Sequence, residues 1–236
     1  MQTTDQPTTP TLGDLFPAEL KESANAGISQ ADLDAREARR RAAGEALLRD
    51  QRKRDNRTRW ELCCPPALQR TDWEHPDLAG SRSQIDRVLG YQLGARGIVA
   101  SGPTGKGKSR ALWELMRRLA LEGYDVRFYA ASDWFSQLQD FLRYGRDDAR
   151  GWVETVARRH IVFLDDYGQQ AMQRSREDWA QAWFFHFLEV RVGAGLPLFM
   201  TTNLRSAEMA ERNGGVRGDP LVRRLLDVAN PISFWK

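Results

Sequence analysis

Apolar residues recur along this chain in two registers, and the alternation between them predicts its elements. Five short runs, Gly97 to Ser101, Asp125 to Ala130, His160 to Leu164, Pro197 to Thr201 and Pro231 to Trp235, have the length and apolar density of strands. The stretches between them carry apolar residues three and four apart. Leu112, Leu115, Met116 and Leu119 do so within Ser109 to Glu122, and Trp183, Phe184, Phe187 and Leu188 within Trp179 to Val192. Strands alternating with helices predict an α/β domain whose parallel sheet is covered on both faces. No internal repeat is evident.

Upstream the pattern changes. Residues 1–28, rich in Thr, Pro and Gln, predict a flexible tail interrupted by one apolar patch, Leu12, Leu15, Phe16 and Leu20. Residues 29–60 predict a helix, opened by Ser29 with Asp32 three places on, in the manner of a capping box. Its few large apolar residues, chiefly Leu33, Leu47 and Leu48, bury little, so it is expected to project or to dock on a partner. Between Arg36 and Trp60 ten Lys or Arg stand against four Asp or Glu. That face suits solvent and phosphate equally. Residues 61–83, with Pro65, Pro66 and Pro76, read as an irregular linker, and 84–236 as the α/β domain.

Composition narrows the class. Of 236 residues, 41% are hydrophobic and 28% charged, the balance of a soluble globular chain. No run approaches the roughly 18 apolar residues that cross a bilayer. The N-terminus lacks the basic and apolar regions of a secretory signal, so the expected location is cytoplasmic. The two cysteines are neighbours, Cys63 and Cys64, and the three histidines are scattered, so no zinc site is expected. A formal charge of +3 does not by itself announce a nucleic-acid binder.

The chemistry lies in Gly102, Pro103, Thr104, Gly105, Lys106, Gly107, Lys108 and Ser109, which spell G-x-x-x-x-G-K-S between a predicted strand and a helix that continues through Arg110. Glycines there let successive backbone N–H groups turn inward at the positive end of a helix, a cradle that fits polyphosphate. Lys108 is expected on the β- and γ-phosphates of ATP and the Ser109 hydroxyl on Mg²⁺. The run His160 to Leu164 ends in Asp165 and Asp166: Asp165 is expected in the Mg²⁺ shell, and Asp166 orienting or polarising the attacking water. Thr201, Thr202 and Asn203 close the next strand, where a polar side chain can touch the γ-phosphate or its water.

This ordered set, with the DDYG at Asp165 to Gly168, the TTNL at Thr201 to Leu204 and the PLVRRLLD at Pro220 to Asp227, resembles the AAA+ ATPases of the DnaC/IstB type, which include replicative helicase loaders. The resemblance covers roughly Pro65 to Trp235. It implies a P-loop NTPase of three α/β/α layers with a five-stranded parallel sheet in the order 5-1-4-3-2, without a C-terminal lid, preceded by an N-terminal helical arm. It implies that Asn203 is the sensor 1 residue and that Arg224, rather than Arg223, is an arginine finger. A finger acts on a neighbour's γ-phosphate, hence a homo-oligomer with ATP at each subunit interface. The implied partners are a hexameric replicative helicase, met by the arm, and single-stranded DNA, met by the ATPase domain. Arg174, Arg176 and Trp179, after the acidic strand, combine cations with an aromatic as single-strand binding requires. Trp179 equally suits the start of the next helix's apolar face. With Lys236 the last residue, no lid or second sensor arginine is expected, and the cysteine cluster of some loaders is absent. Two other functions stay open, an IstB-like transposition helper and a small-molecule kinase with the helix Asp133 to Tyr144 as an acceptor lid.

Overall fold

Alternating side chains along the strands serve two cores, one on each face of a central sheet. On one face lie Val162, Leu164, Leu198 and Met200; on the other lie Ile98, Ala100, Ile161, Phe163 and Phe199. A strand buried on both sides reads as the continuous apolar run seen in the sequence. The computed structural model describes residues 29–168, 174–212 and 218–235. The apolar patch Leu12 to Leu20 lies outside the described residues.

In chain order the elements are α1 (Gln30–Cys63), α2 (Pro66–Gln69), α3 (Pro76–Ala79), α4 (Arg82–Leu89), β1 (Gly97–Ser101), α5 (Lys108–Leu121), β2 (Val126–Ala130), α6 (Ala131–Tyr144), α7 (Arg146–Ala157), β3 (Ile161–Tyr167), α8 (Arg174–Gly193), β4 (Leu198–Thr202), α9 (Ser206–Arg212), α10 (Gly218–Val228) and β5 (Ala229–Ser233). All five strands pair in parallel, in the order β2-β3-β4-β1-β5, which from the other edge is 5-1-4-3-2 as expected. Each crossover carries helix to one face or the other, so the sheet is sandwiched. This is the AAA+ type of P-loop fold.

The chain divides into two compact units, Met1–Leu48 and Arg49–Lys236. In the first, the described part of α1 is exposed, with Leu47 and Leu48 facing solvent. Its start is a reciprocal cap: the Ser29 hydroxyl accepts from the Asp32 backbone N–H at 3.2 Å and donates to the Asp32 carboxylate at 2.8 Å.

In the second unit the rest of α1 is fastened to α5. Trp60 is buried and its Nε1 donates to the Trp113 carbonyl at 3.0 Å. Buried Asn56 donates to the carbonyls of Ala120 and Tyr124, and Arg59 meets Asp125 at 3.5 Å. The 61–83 stretch holds two single-turn helices, each opened by a proline at its first turn, where the missing N–H is not needed. It buries Cys64, Leu78 and Ser81. Burial pushes the Cys64 thiol up to about 12, with the Asp165 charge adding to it.

Arg191, on α8, is fully buried among elements that enter the sheet. Its guanidinium donates to the carbonyls of Ala157 and Arg159 at 2.9 Å, of His160 at 3.2 Å, and of Pro197. One side chain thereby ties the end of α7 to the approaches of β3 and β4. Among the described residues no helix is long and apolar enough to cross a membrane.

Candidate functional site

Strand β1 delivers the chain to a tight loop at the C-terminal edge of the sheet. Gly102 has φ 152°, and a Cβ there would lie 2.6 Å from that of Phe234, so only glycine fits where the loop crosses β5. Gly107, at φ 85°, is the N-cap of α5, and no side chain caps the helix. The first N–H groups of α5 therefore have no partner within the helix and face the loop. A Cβ on Gly107 would meet Leu78 at 2.9 Å and Ile85 at 3.2 Å, so α3 and α4 pack against the underside of this turn.

Lys108 is 5% exposed and all three of its N–H donors are engaged. They reach the carbonyls of Gly102 at 2.7 Å and Pro103 at 2.8 Å, and Asn203 Oδ1 at 2.8 Å. Burial pulls the ammonium below its usual range, while the charges of Asp166 and Asp165 act against that shift. Asn203 in turn donates to the Thr104 hydroxyl at 3.3 Å. The expected γ-phosphate contacts are thus joined to each other across the mouth of the loop.

Asp165 is 8% exposed and its two oxygens are treated differently. Oδ1 accepts from the Ser109 hydroxyl at 2.8 Å and from the Thr201 hydroxyl; Oδ2 accepts from Trp113 Nε1 at 2.8 Å. Three donors compensate the burial of a carboxylate that would otherwise be costly. The same Thr201 hydroxyl accepts from the Asp166 backbone N–H at 2.8 Å. That bond belongs to a break in register between Leu164 and Tyr167, where Asp166 takes φ 59° and the β3–β4 ladder slips. The irregularity turns Asp166 outward beside Asp165. Although the residue as a whole is exposed, partial burial of its carboxyl and the neighbouring Asp165 charge push its pKa up, with Lys108 opposing.

The structure therefore brings Lys108, Ser109, Asp165, Asp166 and Asn203 to one edge of the sheet. Among the described residues no group of three or more His, Cys, Asp or Glu could hold a metal by itself. The Ser109 hydroxyl and the Asp165 carboxylate, already 2.8 Å apart, fit a Mg²⁺ whose remaining ligands are phosphate oxygens and water. Arg110 turns to the adjoining side of the loop, where it donates to the Ala67 carbonyl at 2.9 Å. Beside the loop a recess of about 360 Å³ is lined by Ala67, Arg70, His75, Leu78, Gly105 and Arg110, among others.

Other expected residues fall elsewhere. Arg224 pairs with Glu189 on α8 and with Asp227 one turn on at 3.3 Å, while Arg223 is exposed. Arg174, Arg176 and Trp179 are in the first turns of α8, and their side chains lie outside the described residues. Of the three polar residues Thr201, Thr202 and Asn203, Asn203 meets Lys108, while Thr201 bonds to the acidic pair. The helix considered as an acceptor lid, α6, is built into the core through Trp134 and Leu138, both fully buried. Sequence reasoning missed Trp113 and Arg191. Trp113 stands one helical turn after Ser109, and that spacing was the one available sign that it shares Ser109's face.

Residues 36–227 match the family model described as IstB-like ATP binding protein. No curated protein matches the chain in sequence. Among solved structures, the chain resembles DnaI at 21% identity and TM-score 0.55, over 72% of this chain and 93% of that one. It resembles the DnaC helicase loader at 18% identity and TM-score 0.53, over 69% and 94%. Domain III of the Thermotoga maritima replication initiation protein DnaA follows at 15% identity and TM-score 0.51, over 71% and 68%. These likenesses show a shared fold.

Proposed function

Because this chain belongs to the IstB-like ATP binding protein family, as an AAA+ ATPase of the DnaC/IstB type, we propose that it hydrolyses ATP to drive the loading of a replicative helicase on DNA. The observation that carries the catalytic part is the placing of two hydrogen-bonded pairs, Lys108 with Asn203 and Ser109 with Asp165, at the mouth of one P-loop.

In this reading the amides from Gly102 to Ser109 hold the triphosphate, and Lys108 leaves the Gly102 and Pro103 carbonyls for the β- and γ-phosphates. The recess along Gly105 receives the adenosine half. Ser109 and Asp165 would hold a Mg²⁺, which when bound would supply positive charge to offset that building on the phosphate oxygens. Asp166 orients a water toward the γ-phosphorus and draws on its proton, Asn203 fixes that water or the γ-phosphate, and the P–O bond to ADP breaks to leave inorganic phosphate. Arg224 acts on the ATP of a neighbouring copy. To do so it must release Glu189 and Asp227, so its own chain holds it in reserve until copies assemble. Arg224→Ala is expected to lower turnover about 10²-fold or more while leaving ATP affinity in place; equal loss from Arg223→Ala alone would move the finger to that residue.

The helical arm, residues 29–60, meets the helicase, and residues following β3, with Arg174, Arg176 and Trp179, meet single-stranded DNA. Support comes from the arm's basic residues before Lys53, which are exposed, and from a fold shared with DnaI and DnaC. The test is co-purification with a hexameric replicative helicase in the presence of Mg-ATP. Retained helicase binding after deletion of residues 1–48 would remove the role of the arm up to Leu48. ATP-dependent filaments on duplex DNA, with no helicase bound, would instead identify a transposition helper. In parallel, Arg174→Ala with Arg176→Ala is expected to flatten the salt dependence of oligonucleotide binding by about one to two phosphate contacts. An unchanged slope would reject that DNA site.

A further inference from the structure

We propose that Trp113 is a positioning residue that sets the orientation of the metal-site carboxylate, Asp165; the inference rests on the ATPase reading above. Ser109 and Trp113 are one helical turn apart on α5 and reach the same carboxylate, one oxygen each, at 2.8 Å. The two oxygens are thereby assigned different work. Oδ1 stays beside the hydroxyl that would ligate Mg²⁺, and Oδ2 is anchored in the interior.

A carboxylate rotates about its last bond in a broad, two-fold well, and hydroxyl donors such as Ser109 and Thr201 rotate with it. The indole does not. Its plane stacks on Phe128, with ring centroids 5.1 Å apart and planes 16° apart, and meets Phe163 edge-on at 5.1 Å. Phe163 lies two residues before Asp165 on β3, so the donor is referenced to the strand that carries its acceptor. The Trp113 carbonyl separately accepts from Trp60 Nε1 at 3.0 Å, a bond that involves neither the Trp113 indole nor the carboxylate. Trp113 is 3% exposed, and phenylalanine would keep an aromatic ring there with some loss of volume. What phenylalanine lacks is the N–H, and that N–H is spent on the carboxylate.

The experiment measures ATP affinity by calorimetry with excess EDTA and again with Mg²⁺, in wild type, Trp113→Phe and Trp60→Phe. Partners that orient metal ligands are worth about 10- to 100-fold in metal affinity. Trp113→Phe is therefore expected to shrink the Mg²⁺-dependent gain in ATP affinity about 10-fold or more and to leave the EDTA value unchanged. Trp60→Phe, which breaks the neighbouring indole bond but not the one to Asp165, is expected to keep the full gain. A folded Trp113→Phe with the full gain, or one whose two affinities fall by the same factor, overturns the proposal. Wild type with no Mg²⁺-dependent gain overturns it together with the ATPase reading, which separates the two failures. Should Trp113→Phe not fold, the indole N–H of Trp113 is followed by NMR in labelled wild type. Slow exchange with solvent and a shift on adding Mg-ATP supports the bond's role, and rapid exchange with no shift overturns it.

Discussion

Lys108→Ala will abolish ATP turnover and weaken ATP binding by about 10²- to 10⁴-fold, the loss of two charge-assisted contacts worth roughly 1.5–3 kcal/mol each. The structure explains why no other cation substitutes. The ammonium sits in a pocket of three acceptors, the Gly102 and Pro103 carbonyls and Asn203 Oδ1, that suits a compact, rotating head group. A planar, forked guanidinium is larger than the head group this loop closes around, so Lys108→Arg is expected to fail as well. The fold will survive the change. Burial already disfavours the charged form of Lys108, so removing the charge relieves desolvation even as it deprives Asp165 and Asp166 of a cation. Calorimetry and phosphate release read the functional loss, and a thermal melt within a few degrees of wild type confirms that the loss is local.

The largest effect on stability is expected at Arg191. Arg191→Met keeps the approximate volume and discards the donors, leaving the carbonyls of Ala157, Arg159, His160 and Pro197 without them. Unsatisfied buried acceptors cost about 1–3 kcal/mol each, and local relaxation recovers part of that, so a loss of about 3–5 kcal/mol is expected. For a unit of this size the melting temperature falls by roughly 10 °C. Burial pulls the guanidinium down to about 9, still above neutral pH, so it is charged in the working protein and carbonyl dipoles stand in for a counter-ion. Arg191→Lys has donors on one atom only and cannot span four acceptors on three segments; a partial rescue is expected. Urea denaturation checks this: the midpoint drops with the slope unchanged. A midpoint within error of wild type in Arg191→Met would refute it.

What the sequence made legible is what depends on neighbours along the chain. The P-loop is spelled by eight consecutive residues and β1 by the five before it, so both were readable in full. Strand order followed from the family resemblance that those motifs carried. Boundaries shifted where a distant partner decides them. β3 continues past Leu164 to Tyr167 because Thr201 and Thr202, on another strand, hold the irregular stretch in place. β5 begins at Ala229, two residues before the apolar run, and tolerates Pro231 because among the described residues it is an edge strand, paired with β1. The prolines of the 61–83 stretch read as breaks, yet two of them start helical turns. Trp113 and Arg191 sit in helical apolar patterns that describe them as ordinary core. Their partners lie 52 and up to 34 residues away, a separation that no local pattern encodes.

The Thr201 hydroxyl donates to one aspartate and accepts from the backbone of the next, so a single oxygen gears both acids to β4. Asn203, two residues further on, is the first residue past the end of that strand. A sideways tug on β4 of a few tenths of an ångström would thus shift both acids in concert, a linkage that valine, equal in shape but mute in hydrogen bonding, would sever.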